Sequence, residues 1–247
     1  MMFKKEKLIF ISASSSGIGY FIAKKYLAIG YRVIINGTNK VKLKKASLKL
    51  KNCDYFCGDL SQKKNIRSLI NKLKKKYKFI DLIICNLGDS EFKKNNFNIE
   101  HALRYNLLST TQLVEYSSQI LNKNKSKIIC ISSICGIEKI NGAPLGYSVA
   151  KSALNFYIKI VSSELAKKGI TINGIIPGNI IFKGSTWEKK MKKNPNQIRK
   201  YIKQNVPMNN FGNPNDIFEI CKMISETKSK FITGSLFKVD GGQTKSN

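Results

Sequence analysis

Short apolar runs alternate along this chain with longer amphipathic stretches, and that alternation sets the expected architecture. Seven runs have the length and composition of buried strands: Leu8 to Ser12, Arg32 to Asn36, Asp54 to Cys57, Leu82 to Cys85, Lys127 to Ser132, Thr171 to Ile175 and Leu236 to Val239. The gaps predict helices over Ile18 to Ile29, Lys40 to Leu50, Lys63 to Tyr77, Ile99 to Leu121, Gly146 to Lys168 and Asn215 to Glu226, with Gly169 placed as a C-cap. Strands alternating with helices in this way build βαβ units, so the expected fold class is α/β, a doubly wound parallel sheet of about seven strands with helices on both faces. At 247 residues, with no internal repeat or Pro-rich linker, the chain reads as a single domain, 1–247. One segment departs from the rhythm. Phe182 to Gly212 (about 182–212) is polar, basic and weakly patterned, and long for a loop, which suits a lid over a site.

Composition narrows the class. No run of eighteen apolar residues occurs, and the start, Met1 to Lys7, is charged and leads straight into the first strand, so neither a membrane span nor a signal peptide is expected and the protein reads as cytoplasmic. The six cysteines lie mostly inside apolar runs, as buried free thiols do. Their spacing, with a single histidine in the chain, does not make a metal site. The formal charge of +29 invites a nucleic-acid reading. Yet only four basic residues are arginine against 40 lysines, scattered over nearly every expected surface helix, and arginine is the residue suited to bidentate phosphate and base contacts. The charge reads as a solvated surface, with no dedicated nucleic-acid partner.

Two stretches carry chemistry. The first strand runs into Ser12-Ala13-Ser14-Ser15-Ser16-Gly17-Ile18-Gly19, whose small residues let a backbone approach a pyrophosphate at the helix N-terminus that follows. The same residues also suit a plain tight turn with a serine cap. Further on, Tyr147 and Lys151 are four apart in an expected helix, which puts phenol and ammonium on one face and favours the ionised phenol. By itself this pairing is close to a chance event: ten tyrosines among 40 lysines give about one or two such matches, and Tyr20 with Lys24 is another.

Taken in order, the motifs resemble those of the short-chain dehydrogenase/reductase family, a Rossmann-type fold. Ser12 to Gly19 is similar to its T-G-x-x-x-G-x-G loop, with Ser12 and Ala13 standing for Thr and the first Gly. Ala13 is an obstacle to any turn needing positive φ there. The resemblance extends through Asp59-Leu60 (the acidic residue that meets adenine), Asn86-Leu87-Gly88, Asn106, Ser133, Tyr147, Lys151, Asn173, Pro177-Gly178, Ile180 and the tail Thr233 to Gly242. It implies a catalytic set of Asn106, Ser133, Tyr147 and Lys151. The cofactor site would comprise Ala13, Ser15, Ser16, Gly17, Ile18, Gly19, Thr38, Asn39, Asp59, Leu60, Asn86, Leu87, Gly88, Tyr147, Lys151, Pro177, Gly178 and Ile180. By the same resemblance Tyr147 is the general acid or base, Ser133 holds the substrate oxygen, and Lys151 holds ribose hydroxyls and, together with the positive ring of the oxidised cofactor, lowers the phenol pKa. Asn106 would hold a water that links Lys151 to solvent. Phe182 departs from the family, standing where a Thr often meets the nicotinamide carboxamide.

The end of the second strand, Asn36-Gly37-Thr38-Asn39-Lys40, lacks the carboxylate that would select NAD(H), so NADP(H) is favoured over NAD(H). The expected activity is hydride transfer between nicotinamide and a carbonyl or secondary alcohol. The lid lysines suggest an anionic or carrier-bound substrate, such as a 3-oxoacyl thioester or a keto-sugar derivative. A homo-oligomer, tetramer or dimer, is implied by resemblance only. Two rival readings stand beside this one: Ser133 as a turn cap with Tyr147 a core phenol, and a cofactor-sensing binding protein acting through its basic surface. His101, the lone histidine, reads as a surface residue and supports no Ser-His-Asp arrangement.

Overall fold

The computed structural model describes residues 7–51, 53–89 and 98–245; the charged opening stretch up to Glu6 lies outside them. All seven expected strands form one parallel sheet: β1 (Leu8–Ile11), β2 (Arg32–Gly37), β3 (Asp54–Cys57), β4 (Leu82–Cys85), β5 (Lys127–Ile131), β6 (Thr171–Pro177) and β7 (Leu236–Val239), in the order β3-β2-β1-β4-β5-β6-β7. The chain runs outward from β1 in one direction to β3, then returns to β4 on its other side. At that switch point the connections leaving β1 and β4 diverge and open a crevice at the carboxyl ends of the strands.

Each strand's alternation feeds two cores. Phe10, Ile34, Ile83, Ile128 and Ile172 point to one face, against α3 (Lys63–Lys76), α5 (Ser109–Ser117) and α6 (Leu145–Ala166). Ile9, Ile35, Ile84, Ile129 and Ile175 point to the other, against α1 (Gly17–Ala28), α2 (Lys40–Lys49) and α9 (Pro214–Glu226). Central strands β1, β4 and β6 are buried at every position, which is why β1 and β4 read as unbroken apolar runs. Gly169, at φ 66°, turns the chain out of α6 into β6 as expected of a C-cap.

Two expectations are corrected. The single helix expected over Ile99 to Leu121 is α4 (Ile99–Leu103), a π-helical turn over Arg104–Leu108, and α5, which ends at Ser117. A π-turn is a one-residue insertion inside a continuing helix, with no Gly or Pro required to mark it, so the sequence does not announce it. The early end follows from Ile80, whose N–H takes the Ile120 carbonyl at 2.8 Å and pulls that segment into a bridge beside the sheet. The second correction is the lid, which is mostly helical: α7 (Thr186–Lys193) and α8 (Pro195–Asn205). Ser185 caps α7 by accepting from the Glu188 N–H at 3.0 Å, Pro195 opens α8, and Ile198 and Ile202, four apart, are its buried face. Trp187 stacks on Tyr201 with ring centroids 5.3 Å apart, fastening the two helices.

The turn leaving β1 does demand a left-handed residue, and Ala13 adopts φ 47° to supply it. That conformation costs an L-residue roughly 1–2 kcal/mol, whereas glycine's extra unfolded-state freedom costs about 0.4–1 kcal/mol. Ala13→Gly is therefore expected to raise stability by about 0.5–1 kcal/mol, read from the midpoint of urea unfolding; an unchanged or lower midpoint would count against strain at this position.

Candidate active site

The Ser12 to Gly19 loop is held by polar side chains from neighbouring strands. Ser12 Oγ accepts from the N–H groups of Asn86 and Leu87 (2.8 and 3.0 Å), and Asn86 Nδ2 donates back to the Ala13 carbonyl at 3.1 Å, joining the ends of β1 and β4. From β2, Asn36 Oδ1 accepts from the Ala13 N–H at 3.1 Å while its Nδ2 donates to the Phe56 and Gly58 carbonyls. Ser14 Oγ donates to the Ile11 carbonyl at 2.7 Å and accepts from the Asn36 N–H at 2.9 Å. Asn36 is thus a node that reading the sequence passes over. Its signal was present: a lone amide at the end of an apolar strand.

Room for an anion is built in. Ser16 is the N-cap of α1, yet its side chain makes no capping hydrogen bond, so the first-turn N–H groups are left for another acceptor. A Cβ on Gly19 would lie 2.6 Å from Asn86 Nδ2 and 2.9 Å from the Ala13 carbonyl, so only glycine lets the helix start this close to the loop. A Cβ on Gly17 would meet the Phe182 ring at 3.3 Å, which puts that aromatic ring against the phosphate loop. These features fit a dinucleotide pyrophosphate.

The other predicted cofactor residues fall along the same edge of the sheet. Thr38 and Asn39 are exposed at the end of β2, and Asn39 caps α2. Asp59 follows β3, its carboxylate accepting from the Ser61 N–H and the Tyr105 hydroxyl. The Leu60 side chain is buried in the core, leaving only its backbone for a ligand. Gly88 follows β4, packed so closely that a Cβ would meet Asn106 Oδ1 at 2.9 Å and Lys151 Nζ at 3.3 Å. Pro177 and Gly178 end β6, Ile180 is buried just beyond, and Asn173, also buried, ties β6 to the tail through the Ile232 carbonyl and the Ser235 N–H.

One cavity of about 710 Å³ is lined by Ser133, Tyr147 and Lys151 together with Ile18, Asn86, Gly88, Pro177, Gly178 and Ile180, and by lid residues including Trp187, Lys190 and Lys193. Ser133, Tyr147 and Lys151 therefore share one space with Ile18 of the loop after β1 and with the ends of β4 and β6. Tyr20 and Lys24 lie on α1 and are not part of its lining, which disposes of the rival pair. His101 is half-exposed, stacked on Tyr105 with its Nε2 4.0 Å from Asp89 Oδ2, and does not line the cavity either.

Ser133 ends β5 in extended backbone, and its hydroxyl does two things. It caps the 3-10 turn at Ile134–Gly136 by accepting from the Cys135 N–H at 3.2 Å, and it lies near enough to the Tyr147 phenol to favour its ionised form. Ser133 thus caps a turn and lines the cavity at once. Lys151 is buried and donates to the Ile131 carbonyl at 2.8 Å, with its ammonium 5.8 Å from the centre of the Tyr147 ring. Asn155, one turn on, is a positioning residue the sequence did not announce. Its Oδ1 accepts from Ser132 Oγ at 2.5 Å and its Nδ2 donates to the Gly136 carbonyl at 3.1 Å, clamping the Ser133 loop onto α6. Asn106 lies buried in the π-turn, its amide tied to the backbone of Asp89 and Ala102.

In the chain by itself, charge at the site runs against ionisation of the phenol. Burial pushes the Tyr147 phenol above its ordinary range, the Ser133 hydroxyl opposing and the thiol of Cys135 and carboxylate of Asp89 adding to the rise. Lys151 does not bring it down, because the ammonium is itself disfavoured: burial takes it to about 8, with Cys130, Cys135 and Cys85 offsetting part of that drop. Within the chain itself the phenol is held in its protonated form.

A doubly wound fold, an anion-ready loop at its switch point and a Ser-Tyr-Lys cluster in the same cavity together define a dinucleotide-dependent oxidoreductase. Comparison with known proteins agrees. The family described as enoyl-(acyl carrier protein) reductase matches residues 12–244. The 3-oxoacyl-(acyl-carrier-protein) reductase FabG of Rickettsia prowazekii is 31% identical over 96% of this chain and 96% of its own, and that of Buchnera aphidicola 31% over 94% and 95%. Among solved structures, the Pseudomonas aeruginosa RhlG/NADP active-site complex superimposes with TM-score 0.85 at 23% identity, over 96% of this chain and 95% of that one. The chain belongs to the short-chain dehydrogenase/reductase family.

The depressed Lys151 value has a consequence for stability. Because the folded chain gives up this proton near pH 8 and the unfolded chain near 10.5, the burial penalty is full below pH 8 and fades as pH rises between the two. Chemical unfolding of wild type and Lys151→Met at pH 7 and 9.5 is expected to show wild type gaining on the variant at the higher pH; a pH-independent difference would mean that the ammonium is not held at this cost.

Proposed function

We propose that this chain is an NADP(H)-dependent carbonyl reductase and alcohol dehydrogenase. The observation that carries the reading is the sharing of one cavity by Ser133, Tyr147 and Lys151 with Ile18 of the phosphate loop and the β4 and β6 ends. Residues Ser15 to Gly19 would hold the pyrophosphate, Asp59 and Leu60 the adenine side, and Asn86, Gly88, Pro177, Gly178 and Ile180 the nicotinamide side. When bound, the cofactor supplies the hydride. Ser133 orients the substrate carbonyl by hydrogen bonding, and Tyr147, neutral by burial, gives its proton to the developing alkoxide. Lys151, titrating close to neutrality, holds ribose hydroxyls and steadies the resulting phenolate, while Asn106 connects it to solvent. The reverse sequence oxidises an alcohol. This complete set weighs against a cofactor-sensing protein without turnover.

Preference for NADP(H) is supported by Gly37, where an acidic side chain would otherwise stand; a Cβ there would already lie 3.0 Å from Ser15 Oγ. For the substrate, the relatives named as 3-oxoacyl-carrier-protein reductases and the two lid ammonium groups at the cavity, Lys190 and Lys193, support an anionic or carrier-bound β-ketoacyl thioester. We also propose self-association through α6, because Leu145, Val149, Phe156 and Ile160 are 48%, 43%, 65% and 56% exposed and recur at helical spacing along one face.

Tyr147→Phe is expected to bind NADPH with unchanged affinity and to lose at least 10³-fold in kcat toward a β-ketoacyl thioester, the order expected when proton donation and its coupled interactions are removed. NADPH consumption against keto-sugars and quinones, and light scattering for the oligomer, complete the screen. Full turnover by the variant would overturn the assignment of the proton donor, and a light-scattering mass of one chain would overturn self-association.

A further inference from the structure

The lid touches the phosphate loop through an aromatic ring. Both stems of the lid are fixed where β6 ends: Ile180 bridges Gly212, the Ile181 N–H donates to the Gly212 carbonyl at 2.8 Å, and the Gly212 N–H donates to the Asn179 carbonyl at 3.0 Å. Phe182 is the first residue beyond that clamp. Its half-buried ring packs against the same core as Ile18 and reaches the start of α1, where ring atoms Cε2 and Cζ lie 3.3 and 3.5 Å from the place a Cβ on Gly17 would take.

Three observations make Phe182 a link between two parts of the site. First, its backbone is tied to the lid helix in both directions. The Phe182 N–H donates to Ser185 Oγ at 3.2 Å, the Ser185 N–H donates to the Phe182 carbonyl at 2.9 Å, and Ser185, itself buried, caps α7. Movement of Phe182 is therefore movement of α7, which carries Trp187 and Lys190 to the cavity wall. Second, the ring meets the loop whose first-turn N–H groups are left for an anion, and the edge of an aromatic ring is the positive part of its quadrupole. Third, Gly17 sits at φ 65° and has no side chain to hold the ring away. Phe182 has no hydroxyl to offer a carboxamide, so its contact with the cofactor groove is at the pyrophosphate end.

We infer that Phe182 is a positioning residue that passes occupancy of the phosphate loop to the lid, so that the pyrophosphate half of the dinucleotide, without its nicotinamide, sets the substrate wall made by Trp187 and Lys190. The inference rests on the cofactor reading above and adds to it a coupling between loop and lid. By reciprocity, a molecule held under the lid strengthens the hold of the loop on its anion. A hydroxyl at position 182 would read the nicotinamide end instead, and the two cases separate when the dinucleotide is divided.

Trp187 is the only tryptophan in the chain and stacks on Tyr201 within the lid, so its fluorescence reports the lid without turnover. The full chain is titrated with NADP+, with 2'-phospho-ADP-ribose, which keeps the pyrophosphate and lacks nicotinamide, and with nicotinamide mononucleotide, while calorimetry measures binding in parallel. Wild type is expected to give most of the NADP+ signal with 2'-phospho-ADP-ribose and none with the mononucleotide. Phe182→Ala is expected to bind NADP+ within about tenfold of wild type yet lose most of the signal, and to raise the KM of a β-ketoacyl thioester about 5- to 20-fold more than it alters kcat. Phe182→Leu, which keeps apolar bulk, should recover part of both. If wild type binds no NADP+, the cofactor reading falls and this inference with it. If NADP+ binds but Trp187 is silent, or responds only to ligands carrying nicotinamide, or responds fully in Phe182→Ala, the cofactor reading stands and Phe182 is not the link.

Discussion

A buried ammonium is the constraint on which the site depends. Lys151 sits beneath the crevice with a single backbone acceptor, the Ile131 carbonyl, and three thiols nearby, and among the described residues no carboxylate pairs with it. A charge so placed is costly unless its surroundings are fixed. The surroundings are fixed: α6 is clamped to the end of β5 through Asn155 on Ser132 and Gly136, and Gly88 closes the other side with no space for a side chain. The same clamps hold Ser133 against the Tyr147 phenol. Rigidity at the carboxyl edge of the sheet and chemistry in the cavity are therefore one arrangement seen twice.

The parallel sheet was legible because its central strands are buried on both faces and leave unbroken apolar runs such as Leu82–Cys85. The Ser-Tyr-Lys set was legible through order and spacing along the chain, where the five-residue motif alone was no better than chance. Other parts were hidden for separate reasons. The lid helices are coated with lysine, so the Ile198 and Ile202 stripe of α8 is outweighed by charge. The π-turn at Arg104–Leu108 carries no Gly or Pro that would mark an interruption of the helix. Asn36 and Asn155 act across the fold on partners 23 residues away, or on a loop that only packing brings near, and local sequence carries no record of that. The direction of the Tyr147 shift depended on how deeply helix and loop bury it, which no spacing encodes.

The surface charge takes a distinct place in this picture. Fifteen acidic residues cannot pair with 44 basic ones, and several ammonium groups instead rest over aromatic rings: Lys72 over Phe56, Lys63 with Arg67 over Tyr116, Lys190 over Trp187 at 4.8 Å. Such contacts let lysine stems cover apolar surface while the heads stay hydrated. In the lid this has a local effect, because Lys190 resting on Trp187 brings positive charge to the cavity wall.

The last turn of the chain is joined to this wall. Gln243 is buried, its Oε1 accepting from Asn179 Nδ2 at 2.8 Å beside the end of β6, and its Nε2 donating to the Tyr201 hydroxyl at 3.4 Å in the lid. Met208, past the lid helices, donates its N–H to the Gly241 carbonyl at 3.2 Å. The tail is thus a strut between floor and roof of the cavity. An affinity tag or fusion partner joined near Gln243 therefore pulls on the roof, whereas Leu8, which opens β1, lies at the end of the sheet opposite the crevice.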